Sequence, residues 1–428
     1  LIGGKLNNIV HRKPKLKILQ VGKFYFPHRG GIESVTQSLS EGLANAGFEV
    51  TVLCSMEKRW ASHSEEIEGV KVVKLTHLGV IASQPITPSW PDVYRDLAGE
   101  ADIIHIHCPN PLAELSLMLA PKNKPVVVTY HADVTRQKWF LPFYHPFQRA
   151  FLHNVDRIIV PTENHIKFSQ VLPEFKNKCS IVPFGMDPKL MQKTILSEKL
   201  THELQQKYGV FALFLGRMVS YKGLPFLIQA MKEVNHNLVL AGDGPERALV
   251  EQMSKSMGIA DRIHFLGRIE NQDLFKALYY ASSMVILPSI TPAENFGMVQ
   301  LEAMAAAKPI IATDLPSGVP VVGDPGRSTL IVPPGNSELL AESMNYLFAH
   351  PLEAARMGMV GLKRFREQFT LNKMIEGHIK VYAQLLGIPF ESIVSPDQFQ
   401  DQSIHNVLHW PDQEVPTHTD IDKKKKVA

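Results

Sequence analysis

At 428 residues the chain is too long for one hydrophobic core and suits two α/β domains with tails. Its hydrophobic content of 45% is that of an ordinary globular protein, and the lack of any apolar run of about 18 residues excludes a membrane-spanning helix. The net charge of +3 is mild, so no nucleic-acid partner is expected without a clustered basic face, and Cys54, Cys108 and Cys179 lack the spacing of a metal site and suit a reducing compartment.

Residues 1–15 form a basic arm that is expected to be mobile, with Lys5, Arg12, Lys13 and Lys15 and no acid. No apolar stretch with a small-residue cleavage site opens the chain, so a cytoplasmic protein is expected, peripheral at the inner face of a membrane. The first strand is Leu16–Val21, followed by a turn holding Gly30 and Gly31 and a helical pattern from Ser34 to Ala46. Phe48–Cys54, Val70–Leu75, Ile103–Ile106, Val126–Tyr130, Ile158–Val160 and Ile181–Val182 read as short apolar strands. Near-continuous apolar strands separated by helices predict a parallel sheet covered on both faces.

The pattern then restarts, with a junction between Pro183 and Tyr208. Strands are expected at Phe211–Leu215, Leu238–Ala241, Ile263–Phe265, Met284–Leu287, Pro309–Ala312 and Leu330–Val332, with helices at Leu224–Lys232, Glu246–Met257 and Asp273–Ala281. The fold class is thus α/β, with two Rossmann-like, doubly wound domains. The expected division is a first domain over 16–190, a second over 191–365, a C-terminal helix over 366–387 crossing back to the first domain, and a polar, disordered tail over 388–428.

Chemistry concentrates in the second unit. Gly216-Arg217 ends a strand and Lys222-Gly223 opens the next helix, which puts two cations where an open sheet binds ligands and suits a diphosphate. Alone, the pair reads equally well as surface charge in a loop. The segment Thr291-Pro-Ala-Glu294-Asn295-Phe296-Gly297-Met298-Val-Gln-Leu-Glu302 predicts a helix beginning near Phe296 or Gly297, with Glu294 just outside it and Glu302 about two turns in. Their eight-residue offset spans about 12 Å along a helix, the length of a sugar–diphosphate–ribose unit. One carboxylate then holds sugar hydroxyls and the other the ribose, while N–H groups between them face the phosphates. Taken singly, Glu294 reads as a helix-start charge and Glu302 as a surface residue. Ala241-Gly-Asp-Gly-Pro245 is a turn of low specificity.

Together, Gly216-Arg217, Lys222-Gly223, Ala241-Gly-Asp-Gly-Pro245 and the two glutamates around Phe296-Gly297 resemble the retaining glycosyltransferases of family 4, over about residues 16 to 387. The resemblance implies a GT-B fold whose two domains face a cleft, and Leu315-Pro-Ser-Gly-Val-Pro320 resembles bacterial members that build surface polysaccharides, several of them mannosyltransferases. It implies that Arg217 and Lys222 bind and stabilise the leaving diphosphate, that Glu294 binds the donor sugar and that Glu302 binds the ribose. Gly30 and Gly31 match a mobile glycine loop near the phosphates and acceptor. His131 matches a histidine facing the donor sugar, and reads otherwise as a strand-end histidine with a structural hydrogen bond. Gly216, Asn295, Phe296, Gly297 and Met298 fall among the donor contacts, with the base pocket around Arg268 and Ile269. Asn295 departs from the small residue usual there, which leaves sugar selectivity open.

The resemblance further implies retention at the anomeric carbon and no bound metal or other cofactor. The lone Asp-x-Asp, Asp420-Ile-Asp422, sits beside four lysines in the tail and reads as solvated charge. The nucleotide-sugar donor is a co-substrate, GDP-mannose first and a UDP-hexose second, and the acceptor is a glycan or a lipid-linked sugar. A dinucleotide oxidoreductase would need Gly-x-Gly-x-x-Gly after the first strand, where this chain has Gly22-Lys-Phe-Tyr-Phe-Pro. A sugar-nucleotide epimerase or a catalytically silent GT-B subunit stays open. Val134–Leu152 interleaves Trp139, Phe140, Phe143, Tyr144, Phe147 and Phe151 with cations, which suits either a packed helix or, with the basic arm, an anionic membrane surface.

Overall fold

The computed structural model describes residues 15–28, 30–56, 61–81, 84–120, 123–134 and 141–394. Residues 1–14 of the basic arm, Trp139, Phe140 and the Asp-x-Asp lie outside them. In chain order the first unit contributes β1 (Lys17–Val21), β2 (Glu49–Ser55), β3 (His63–Ile67), β4 (Val70–Leu75), a small hairpin of β5 (Val80–Ile81) and β6 (Gln84–Pro85), β7 (Ile103–Cys108), β8 (Val126–Tyr130), β9 (Arg157–Val160) and β10 (Cys179–Ile181). All but the hairpin form one sheet in the order β10-β9-β8-β7-β1-β2-β4-β3, parallel except for the edge strand β3. That edge strand and the hairpin were not legible in the sequence, because His63-Ser-Glu-Glu-Ile67 carries almost no apolar signal and the hairpin strands are two residues each.

The second unit holds β11 (Phe211–Leu215), β12 (Asn237–Ala241), β13 (Ile263–Gly267), β14 (Met284–Leu287), β15 (Ile310–Thr313) and β16 (Thr329–Val332), all parallel in the order β13-β12-β11-β14-β15-β16. Runs such as Phe211-Ala-Leu-Phe-Leu215 are buried almost throughout because helices cover both faces. A helix over Ile195–Tyr208, at the end of the expected junction and inside the expected second domain, packs in the second unit and is started by a reciprocal cap between Thr194 and Ser197.

Two chain segments cross between the units and run side by side. Met186 donates its N–H to the carbonyl of Phe369 at 2.9 Å, and Leu371 donates to the carbonyl of Met186 at 2.9 Å. The C-terminal region is two helices, Pro351–Gln368 and Leu371–Leu386, broken at Phe369-Thr370. The second of them lies against the first unit's sheet and against the Gly31–Asn45 helix. The expected tail begins later than position 388: Phe390–Ile393 forms a further helical turn and Val394 is buried.

The surface of the first sheet under this helix is polar. Gln20 of β1, His105 and His107 of β7 and Thr129 of β8 share one face and are all buried. His105 spans between the Tyr382 hydroxyl (2.6 Å) and Thr129 Oγ1 (2.8 Å), and His378 lies beside it at 5.6 Å between rings. Tyr144, Phe151 and Leu152 point into the first unit's core, with the Tyr144 hydroxyl donating to Glu114 Oε2 at 2.8 Å. Those rings are therefore packing, because Tyr144 and Phe151, seven residues apart, share one face of the Leu141–His153 helix.

Candidate active site

The carboxyl end of β11 delivers Gly216-Arg217, and a short turn over Ser220–Lys222 brings Lys222 back over the sheet edge. Gly223 holds this turn with φ +67°, and a side chain there would come within 2.1 Å of the Pro288 carbonyl, so glycine is required. The loop after β14 delivers Ser289 and Glu294. Lys222 Nζ lies 2.5 Å from Glu294 Oε2, and Ser289 Oγ donates to the same oxygen at 2.9 Å. Both charged side chains are only about a tenth exposed, 11% and 10%.

The helix that follows begins at Val299, not near Phe296, and Glu302 falls in its first turn. Gly297 adopts φ +74°, a left-handed conformation that interrupts the helical run. The helical rise therefore does not apply between the two glutamates. What the glycine leaves instead is a turn in which the N–H groups of Phe296, Gly297 and Met298 donate to no backbone carbonyl among the described residues. Successive free N–H groups in such a turn form a concavity for an anion.

Glu302 accepts a hydrogen bond from the Tyr279 hydroxyl. Burial pushes its carboxyl up to about 7, against the hydrogen bond from Tyr279 and the charge of Lys222, which both pull it down. Lys222 thus faces both glutamates. Arg217 is exposed and forms no ion pair among the described residues. Arg268 and Ile269 follow the edge strand β13, where Arg268 lies 3.7 Å from Glu270 in solvent and pairs with no other carboxylate among the described residues.

In the first unit Gly30 and Gly31 are the cap and first residue of the Gly31–Asn45 helix, three residues before the expected start at Ser34. His131, at the end of β8, is buried and in contact with His107, Nε2 to Nδ1 at 3.0 Å. His107 Nε2 in turn meets Gln20 Oε1 at 2.9 Å. The glutamine oxygen only accepts, so His107 carries its proton on Nε2 and takes one from His131 Nε2. Burial pushes His131 down to about 3, with the neighbouring His165 and His378 adding to the shift, so the ring is neutral. Its face stacks on Phe184 at 5.1 Å, and Phe184 meets Phe296 at 5.1 Å, which joins the carboxyl ends of the two sheets. Asn295 carries this junction too, its side chain hydrogen-bonding His165 of the first unit.

The structure therefore brings Lys222, Glu294 and Glu302 together and leaves Arg217 and Arg268 on the rim. Sequence reasoning missed Tyr279, Ser289 and Phe184. Tyr279 lies within the Asp273–Ala281 helical pattern, which gives it no distinguishing signal, while Ser289, just past the end of a strand, carried a positional one.

Residues 29–190 match the family described as Glycosyltransferase Family 4, and residues 198–364 match Glycosyl transferases group 1. The D-rhamnosyltransferase WbpZ of Pseudomonas aeruginosa is 32% identical over 358 residues, which span 83% of this chain and 92% of that protein. The O-antigen chain mannosyltransferase C of Escherichia coli is 30% identical over 373 residues, spanning 87% and 99%. Among solved structures, sucrose-phosphate synthase from Thermosynechococcus elongatus superimposes with a TM-score of 0.73 at 22% identity, over 87% of this chain and 100% of that one. At that identity the likeness speaks for the fold alone, two facing Rossmann-like units in the GT-B arrangement.

Proposed function

The chain belongs to glycosyltransferase family 4, and on that premise we propose that it moves a hexose, mannose first, from a nucleotide diphosphate sugar to a glycan or lipid-linked acceptor, keeping the anomeric configuration. The observation that carries this reading is the Lys222–Glu294 contact of 2.5 Å, shielded from water at the carboxyl ends of β11 and β14. A cation and a carboxylate so placed fit the two ends of the bond that breaks. When the donor enters, a phosphate oxygen takes Lys222, and Glu294 turns to the sugar hydroxyls with Ser289 still holding it. Arg217, unpaired on the rim, closes on the same diphosphate. The turn at Phe296-Gly297-Met298 offers backbone N–H groups to it, and Glu302 takes the ribose.

Charge develops on the departing diphosphate, and these fixed donors stabilise it there without reorganising. Lys222 and Arg217 supply the positive charge, so we propose that no divalent metal is needed. His131 positions rather than transfers protons, because its Nε2 hydrogen is committed to His107. A phosphate oxygen on the acceptor's side of the ring then helps remove the acceptor's proton, which favours same-face displacement.

Support for mannose comes from the two relatives, since rhamnose is 6-deoxymannose and both named sugars share the manno configuration. GDP-mannose is therefore the first donor to test and a UDP-hexose the second. A panel of nucleotide sugars is to be scored by thermal stabilisation and by slow hydrolysis. The product's anomeric configuration is to be read by NMR with and without a chelator. Inversion, or activity that a chelator abolishes and Mg²⁺ restores, would overturn the mechanism, and a complete lack of turnover with any donor would favour a silent subunit.

A further inference from the structure

We propose that a cavity beside the two interdomain crossings is a second binding site, for a small soluble compound bearing a phosphate or diphosphate. The cavity has a volume of about 860 Å³, within the range of roughly 300 to 1,000 Å³ usual for small-molecule sites. None of Arg217, Lys222, Glu294 and Glu302 lines it, so it is separate from the donor site.

Its charge is lopsided. Lys189 and Lys193 enter from the first crossing and Arg366 from the second, and none of the three has a carboxylate within ion-pair distance among the described residues. The one acid in the wall, Asp187, is already used, its Oδ1 accepting from Lys189 N at 2.9 Å. Lys193 is held over the Tyr280 ring at 4.7 Å, and the Tyr280 hydroxyl is fixed by the Met191 carbonyl at 2.6 Å. The sixteen-residue helix Leu371–Leu386 also starts in this wall, so its positive dipole end adds to the three cations. Burial, and then Lys193, hold the Lys308 ammonium down at about 8.

Cations without carboxylate partners that line one half-open cavity suit a multiply charged oxyanion. Lys189 and Lys193 sit on one crossing, Arg366 and Asn372 at the other, and the last turn of the Gly31–Asn45 helix closes the first unit's side. A bound anion would therefore tie both crossings together and fix the angle between the domains. The inference goes beyond the transferase reading and does not depend on it, because it is tested without donor.

The test is calorimetric titration of inorganic pyrophosphate into protein whose donor site is disabled by Arg217→Ala and Lys222→Ala. We expect saturable binding at one site per chain, weakened at least tenfold when Lys193→Ala and Arg366→Gln are added, and weakened again by Lys189→Glu, a change at an exposed side chain that the fold tolerates. Thermal melting confirms that each variant is folded. Equal affinity with and without the hinge substitutions, or no binding at millimolar pyrophosphate, would overturn the proposal. A parallel titration with phosphatidylglycerol vesicles separates a lipid headgroup from a soluble ligand. Vesicle binding that the hinge substitutions abolish, without any pyrophosphate binding, would also overturn it.

Discussion

The hydroxyl of Tyr382 lies 2.6 Å from Nδ1 of His105, so a helix near the end of the chain is keyed by a buried hydrogen bond into the central strand region of the first sheet. Around that contact sit His107, His131 and His378, with Gln20, Thr129 and Phe184 facing them, and no carboxylate is among these contacts. Burial holds His105 and His107 well below the usual imidazole range, His131 down to about 3 and His378 down to about 4. All four are neutral in the fold.

Acid should therefore loosen the protein before it damages the donor site. The folded values are depressed, so the stability these histidines contribute is present above about pH 6.5 and is lost as pH falls toward 4 and then 3. At pH 5, His131 and His378 each cost roughly 2 kcal/mol relative to neutral pH. Melting temperature should drop by several degrees between pH 7 and 5, and His378→Phe should flatten part of that slope. A melting temperature independent of pH over this interval would refute the account.

Glu302 carries the opposite sign. Its folded value, raised to about 7, means that the stability linked to its proton is present below about pH 4.5 and is lost as pH rises through 7. A ribose hydroxyl donates best to the ionised form, so donor affinity should tighten as pH rises from 6 to 8. Calorimetric titration of the nucleotide diphosphate should show that slope in the wild type and none in Glu302→Gln.

Lys222→Ala, Glu294→Ala and Arg217→Ala should each reduce turnover by on the order of 3 kcal/mol, about a hundredfold or more. Stability should separate them. Losing Lys222 leaves Glu294 shielded from water with only Ser289 for company, at a cost on the order of 2 kcal/mol, whereas the exposed Arg217 should leave the melting temperature unchanged. Near-normal turnover in the Lys222 and Arg217 variants would remove the leaving-group role.

For the membrane, Trp139→Ser with Phe140→Ser should weaken sedimentation with anionic vesicles in low salt while donor hydrolysis persists. The wild type should release such vesicles in high salt, since part of the attraction is about 1 kcal/mol per basic side chain near the surface. A wild type that ignores anionic vesicles would point to a soluble acceptor.

The two sheets were readable because parallel strands buried on both faces leave continuous apolar runs, as at Val126–Tyr130 and Phe211–Leu215. Lys222 and Glu294 were readable as candidates, but the contact that unites them depends on β11 and β14 being neighbours, which no local pattern states. The helix start was misplaced because residues after Gly297 are good helix formers, and the left-handed turn at the glycine outweighs their propensity. His105 and His107 went unnoticed for another reason. They alternate with isoleucines in a strand that is wholly buried, and the partner of His105 on the last long helix, Tyr382, arrives 277 residues later.

That distance has a consequence for how the molecule is made. The first sheet is complete in sequence at Ile181, yet its polar face is not covered until Tyr382 has emerged from the ribosome. Throughout synthesis of the second domain, Gln20, His105 and His107 stay open to water, and the nascent first domain waits for its lid. A chain that stops at Gln368 would keep every strand of both sheets and still be unfinished at its beginning.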